Sequence, residues 1–124
     1  MGKKHFTHGR LKVFMTIILA VILIVLVVVC AKKIKLAQNE KNIIGTWKNS
    51  SSENVITVQD SEALILYNDI PEAGLYHGNA SYHFSYTDTI CITQDDISAE
   101  FCVDVDENQL IIYFAGQVYL VLQK

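Results

Sequence analysis

The order of apolar and polar positions divides the chain into two parts. Residues 13–31 are apolar with Thr16 as the single exception, 19 positions without glycine, proline or charge. At about 1.5 Å per residue a helix of that length spans roughly 28 Å, close to the ~30 Å hydrocarbon core of a bilayer. Such a helix makes all its backbone hydrogen bonds internally, as lipid requires. It is apolar on every side, and no 83-residue domain could wrap it as a core helix. The pattern therefore predicts a transmembrane helix over 13–31, with Lys12 and Lys32 placed to snorkel to the headgroups. A polar linker over 32–42 follows, and then the period changes to two. Strands are predicted at 44–48, 54–59, 62–67, 81–85, 89–93, 99–105, 109–114 and 117–123, rich in Val, Ile, Thr, Tyr and Phe. Turn residues such as Asp60-Ser61, Thr87-Asp88 and Ala115-Gly116 separate them, and connections that short join only antiparallel neighbours. The exception is 68–79, which holds Pro71, Gly74 and Gly78. The expected fold is all-β: a small antiparallel up-and-down barrel or strongly curled meander of seven or eight strands over 43–124, behind one transmembrane α-helix.

Composition sharpens this division. Apolar residues make up 51% of the 124 residues, yet only 43% once the hydrophobic run is removed, an ordinary globular value. The net charge of −3 is the remainder of +7 over residues 1–41 and −10 over residues 42–124. An acidic domain of that kind repels nucleic acid and anionic headgroups, so no nucleic-acid partner is expected.

Three fates are open to the hydrophobic segment. A cleaved signal peptide has a shorter apolar core and a small-residue cleavage site, and Val29-Cys30-Ala31 is followed directly by two lysines. Lipidation at Cys30 would use Val27-Val28-Val29-Cys30 as a lipobox, which departs from that motif at Val29. An uncleaved signal-anchor is the preferred reading. The amine and Lys3, Lys4, Arg10 and Lys12, with His5 and His8, slightly outweigh Lys32, Lys33, Lys35 and Lys41. The positive-inside rule thus makes residues 1–12 a cytoplasmic tail and puts the β domain on the extracytoplasmic side of the cell membrane.

Gly45-Thr46-Trp47 opens the first strand, Tyr82-x-Phe84 precedes Thr89-Ile90-x-Ile92, and Leu110-x-Ile112 precedes Tyr119. This arrangement resembles the small bacterial lipocalin-like domains with a Gly-Thr-Trp start, usually tethered behind a signal or lipoprotein segment. The resemblance covers about residues 43–124 and implies a fold and a location rather than an activity. In true lipocalins an arginine near the last strand packs on the tryptophan, and residues 43–124 contain none.

Trp47 has a purely structural explanation, since an indole can close a barrel base and bury up to roughly 200 Å². The ten aromatic side chains of residues 43–124 and the short strands favour a filled interior, as eight strands enclose room for side chains or one small ligand. If the domain is instead a lipid or small-ligand carrier, Trp47, Tyr82, Phe84 and Phe101 are the expected cavity lining.

Cys91 and Cys102 both alternate onto the polar face of neighbouring strands. A four-residue loop over 95–98 would set them directly opposite each other, close enough for a disulfide in an oxidising compartment. His77 and His83 have no metal-ligand spacing around them, and no cofactor or metal is expected. Asp104-x-Asp106-x-Asn108 starts like a calcium loop, but Gln109 takes the required glycine position, so an Asx turn is expected. No nucleophile–base constellation or phosphate-cradling glycine loop is present, which argues against an enzyme.

The final hairpin is apolar on both faces. A two-residue Ala115-Gly116 turn would pair Leu110 with Val121 and Ile112 with Tyr119, leaving Ile111, Tyr113, Val118, Leu120 and Leu122 on the opposite face. One face fills a barrel, and the second is covered by the 68–79 loop or forms an interface with a protein partner or a second copy. The expected role is that of a membrane-anchored interaction or accessory module, attached through residues 13–31, with the ligand-binding barrel as the alternative.

Overall fold

The computed structural model describes the backbone from Gly2 and the side chains from Gly9 to Lys124, so Lys3, Lys4, His5 and His8, invoked for orientation, lie outside the described side chains. One helix, α1 (Gly2–Asn42), is followed by eight strands that close into an antiparallel barrel in chain order. The chain divides into two compact units, residues 1–34 and 35–124.

In the first unit the side chains of residues 9–34 are exposed all round the helix. Leu23 and Val27, for instance, are 62% and 67% accessible. This helix is long and apolar enough to cross a membrane. Its single polar residue within the run is satisfied locally, because Thr16 Oγ1 donates to the Lys12 carbonyl at 2.9 Å.

The second unit begins inside α1. Residues 32–42, read from the sequence as a linker, are helical. Ala31, Leu36 and Ala37, with Lys, Gln and Glu between them, are good helix formers, and the turn from Asn39 packs against the barrel. Asn39 is 2% exposed, and its Nδ2 donates to the Thr87 carbonyl at 2.7 Å. The chain then leaves the helix through Ile43, which is buried, and turns at Gly45 into β1. Gly45 is obligatory there: its φ is +136°, and a Cβ would stand 2.9 Å from Lys124 Cε.

The strands are β1 (Gly45–Lys48), β2 (Asn54–Val58), β3 (Ala63–Leu66), β4 (Gly78–Tyr86), β5 (Thr89–Gln94), β6 (Ile97–Val105), β7 (Gln109–Phe114) and β8 (Gln117–Gln123). All eight were legible as strands. Two start earlier than the residue pattern suggests, for reasons of pairing. β4 begins at Gly78 because it lies opposite Leu66, and β6 begins at Ile97 because it pairs with Gln94 across a two-residue turn. That turn, Asp95-Asp96, uses a left-handed Asp95 (φ 53°), a conformation Asp tolerates.

Inward side chains from every strand fill the barrel. Trp47, Leu64, Ile92, Phe101, Leu110 and Leu122 are all 2% exposed or less. Phe101 and Phe114 stack with ring centroids 5.2 Å apart. The end reached by the β3–β4 connection is plugged by that loop, in which Ile70 and Leu75 are buried around a short 3-10 turn, η1 (Pro71–Ala73). The loop thus covers the barrel mouth, not the outer face of the last hairpin. The ring closes through one residue pair, Lys48↔Gln123, since β1 has four residues and β8 has seven.

Candidate functional site

The four aromatics expected to line a carrier cavity divide between the core, which holds Trp47 and Phe101, and a cleft bordered by Tyr82 and Phe84. Trp47 is fully buried at the end of the barrel next to Asn42, and its Nε1 donates to the Ile43 carbonyl at 2.8 Å. Lys124 covers the indole, with Nζ 4.9 Å from the ring centroid, while donating to the Asn42 carbonyl at 3.0 Å. Lys124 is thus the cation that packs on this tryptophan. Phe101 is deep in the core. Tyr82 and Phe84 instead border a cleft of about 400 Å³ with Ala37, Glu40, Asp60 and Glu62. Tyr82 Oη donates to the Gln59 carbonyl at 3.0 Å. Burial raises its pKa, and the carboxylates of Glu62, Glu40 and Asp60 add to that rise.

The expected disulfide is absent: Cys91 and Cys102 are free thiols. The tight Asp95-Asp96 turn sets Ile90 opposite Phe101, which places Cys91 across from Glu100 and Cys102 across from Thr89. The two cysteines are thus diagonal, two positions out of register, where Cα atoms stand roughly 7–8 Å apart. A disulfide cannot span that without backbone movement.

The last hairpin shows a second register change. The Ala115-Gly116 turn is as expected and sets Phe114 opposite Gln117. A bulge between Ile112 and Tyr113 then absorbs Tyr119, so that Ile112 faces Leu120 and Leu110 faces Leu122. The expected outer set is split. Leu122 is 1% exposed in the core and Leu120 is half-buried against it. Ile111, Tyr113 and Val118 remain outside, joined by Val121 through the pairs Ile111↔Val121 and Tyr113↔Val118. Val118 and Val121 are 59% and 49% exposed. Val121 was missed because no residue type near Tyr119 announces a bulge.

That bulge also directs Tyr119 toward the plugged mouth, where its Oη donates to Glu72 Oε2 at 2.9 Å. Burial, and then this carboxylate, raise the tyrosine's pKa. Beside it lies a cleft of about 160 Å³ lined by Val55, Ile56, Leu66, Ile70 and Leu120, with Asn68 and Asp69 supplying polar groups. Asp69 accepts from the backbone N–H of His77 at 2.9 Å and contacts its Nδ1 at 2.7 Å. Those bonds, the backbone one foremost, hold the Asp69 carboxyl below the usual range.

The remaining sequence motifs are turns and surface side chains. Asp106 Oδ1 accepts from the N–H groups of Asn108 at 2.8 Å and Gln109 at 2.7 Å, an Asx turn that lowers its pKa. His83 is exposed on β4 opposite Cys91. Among the described residues, no group of three or more His, Cys, Asp or Glu side chains is arranged to hold a metal ion. No family model, curated protein or solved structure matches this chain, so its own residues and geometry carry the functional reading.

Proposed function

We propose that this chain is a single-pass anchored protein whose β domain lies on the extracytoplasmic side and acts by contacting another protein, without catalysis. The observation that carries this reading is the distribution of apolar side chains. The barrel interior is occupied by Trp47, Phe101 and their neighbours, yet Val118 and Val121 stay exposed beside Ile111 and Tyr113 on the outer face of β7 and β8. A domain with a filled core gains nothing from that outer strip, whereas an interface does. The closed barrel behind an apolar helix, with Trp47 in its first strand, supports the lipocalin-like resemblance at the level of fold.

The test is crosslinking of the full chain in its native membrane, with copurifying proteins and lipids identified together. A stoichiometric protein partner lost in Ile111→Lys and Val121→Lys, with the barrel still folded, is the expected result. A stoichiometric lipid with no protein partner overturns it. That second outcome belongs to the rival ligand-binding reading, which the cleft at Tyr82 and Phe84 favours. There, lipid titration would change the environment of those two residues and leave the buried Trp47 emission unmoved.

A further inference from the structure

The seam between the first and last strands is only partly closed. Lys48↔Gln123 is the single residue pair across it, and beyond Lys48 the chain turns away at Asn49, whose Oδ1 accepts from Ser51 and Glu53 N–H groups. β8 continues alone past that point. Its polarity can be read from the ladder: Lys124 N–H donates to the Asn108 carbonyl on the β7 side, so residues 122 and 120 also face β7. Alternation then points the N–H and C=O of Val121 to the open side, as for Gln123, which meets Lys48. Among the described residues, none of the backbone bonds made by turns and loops reaches Val121.

Two further observations adjoin this edge. The apolar cleft of about 160 Å³ includes Tyr119 and Leu120 of β8 together with Val55 and Ile56 of β2. An apolar cavity of about this volume accepts a group the size of benzene. The loops at this end of the barrel, between β1 and β2, β3 and β4, β5 and β6, and β7 and β8, carry Glu53, Asp69, Glu72, Asp95 and Asp96 and no lysine or arginine. All five carboxylates are exposed.

Resting on the contact reading above, we infer that the partner presents an extended, lysine- or arginine-bearing segment that adds alongside β8 at Val121 and places one apolar side chain in the cleft. Each part of the site selects one property of that segment. The open main-chain groups require an extended backbone, as in strand addition at a sheet edge. The cleft takes a single leucine- or phenylalanine-sized group, and the acidic rim favours cationic neighbours. The bulge at Ile112 and Tyr113 fits this role, because bulges commonly end or redirect pairing at binding edges.

The test uses the full chain in uncharged phosphatidylcholine nanodiscs and a fluorescent heptapeptide, Lys-Val-Lys-Leu-Thr-Val-Lys. Saturable binding is expected, with the β8 amides, Val121 foremost, becoming protected from hydrogen exchange. Replacing the peptide's leucine by serine, or Val121→Pro in the protein, should each weaken binding about tenfold or more. The proline removes only a solvent-facing N–H and suits an edge strand. Asp69→Asn, which keeps its hydrogen bonds to His77, should weaken binding about threefold and flatten its salt dependence. Binding that leaves Val121 exchange unchanged, or that a glutamate-for-lysine peptide matches, overturns the proposal. So does n-hexanol occupying the cleft while the peptide does not bind. If the peptide fails but the membrane crosslink persists and is lost in Ile111→Lys, this site falls and the broader contact reading stands.

Discussion

Lys124 and Trp47 form a stacked pair at the end of the barrel next to Asn42: the ammonium lies 4.9 Å from the indole centroid and reaches past it to the Asn42 carbonyl. One side chain thereby meets both the tryptophan face and a carbonyl at a helix C-terminus, where cations are favoured. Lys124→Met keeps the apolar stem and removes the charge. It should cost about 1 kcal/mol and lower the melting temperature by about 4–8 °C in detergent. Lys124→Arg should retain most of that. Melting curves identical for all three proteins would show that the contact contributes nothing.

Trp47→Phe probes the same end from inside. It leaves a void in a fully buried position and strips the Ile43 carbonyl of its 2.8 Å partner. The expected loss is about 2–4 kcal/mol, a large fraction of the stability of a domain this size. Far-ultraviolet circular dichroism during thermal unfolding reads it, since the mutation removes the fluorescent probe.

The barrel register predicts the thiol chemistry. Cys91 and Cys102 should both react with maleimide without reduction, Cys102 faster because it is the more exposed. Thr89 stands opposite Cys102, with Oγ1 and Sγ 4.0 Å apart. Thr89→Cys should therefore form an intramolecular disulfide with Cys102 under mild oxidation, while the parent chain forms none. A crosslink between Cys91 and Cys102 in the parent would contradict the two-residue Asp95-Asp96 turn.

Asp106 gives a pH signature. Its carboxyl titrates below the ordinary value because it accepts two backbone N–H bonds when ionised. The stabilisation it supplies is complete above the unfolded carboxylate value near 4 and is lost as pH falls through the lowered folded value. Asp106→Asn should thus narrow the gap in unfolding midpoint between pH 6 and pH 3, and an unchanged gap would exclude the turn as a source of acid sensitivity.

The strands and their order were legible because alternation and turn residues are local signals, and short connections leave a meander as the only arrangement. Register was not legible in the same way. Residues 95–98 read as a four-residue loop, whereas the chain makes a two-residue turn and takes Ile97 and Ser98 into the strand, which moves both cysteines out of opposition. Likewise the Ala115-Gly116 turn was correctly located, yet the bulge three residues away carried Leu120 and Leu122 inward and Val121 outward. A bulge answers to the curvature of the whole ring, and no single residue near it has to change type. Asn39 posed a related problem: its polar side chain suited a linker, but its partner is the Thr87 carbonyl, 48 positions away.

The single pair at Lys48↔Gln123 also has a kinetic meaning. Every other ladder joins strands consecutive in the chain, so each can form after a modest loop closes. The first and last strands must find each other across some 75 intervening positions, for the return of one ladder pair and the Lys124 contacts around it. Assembly should therefore run as a growing ribbon that shuts last. Substitutions at Lys48 or Lys124 should accelerate unfolding while leaving the folding rate almost unchanged.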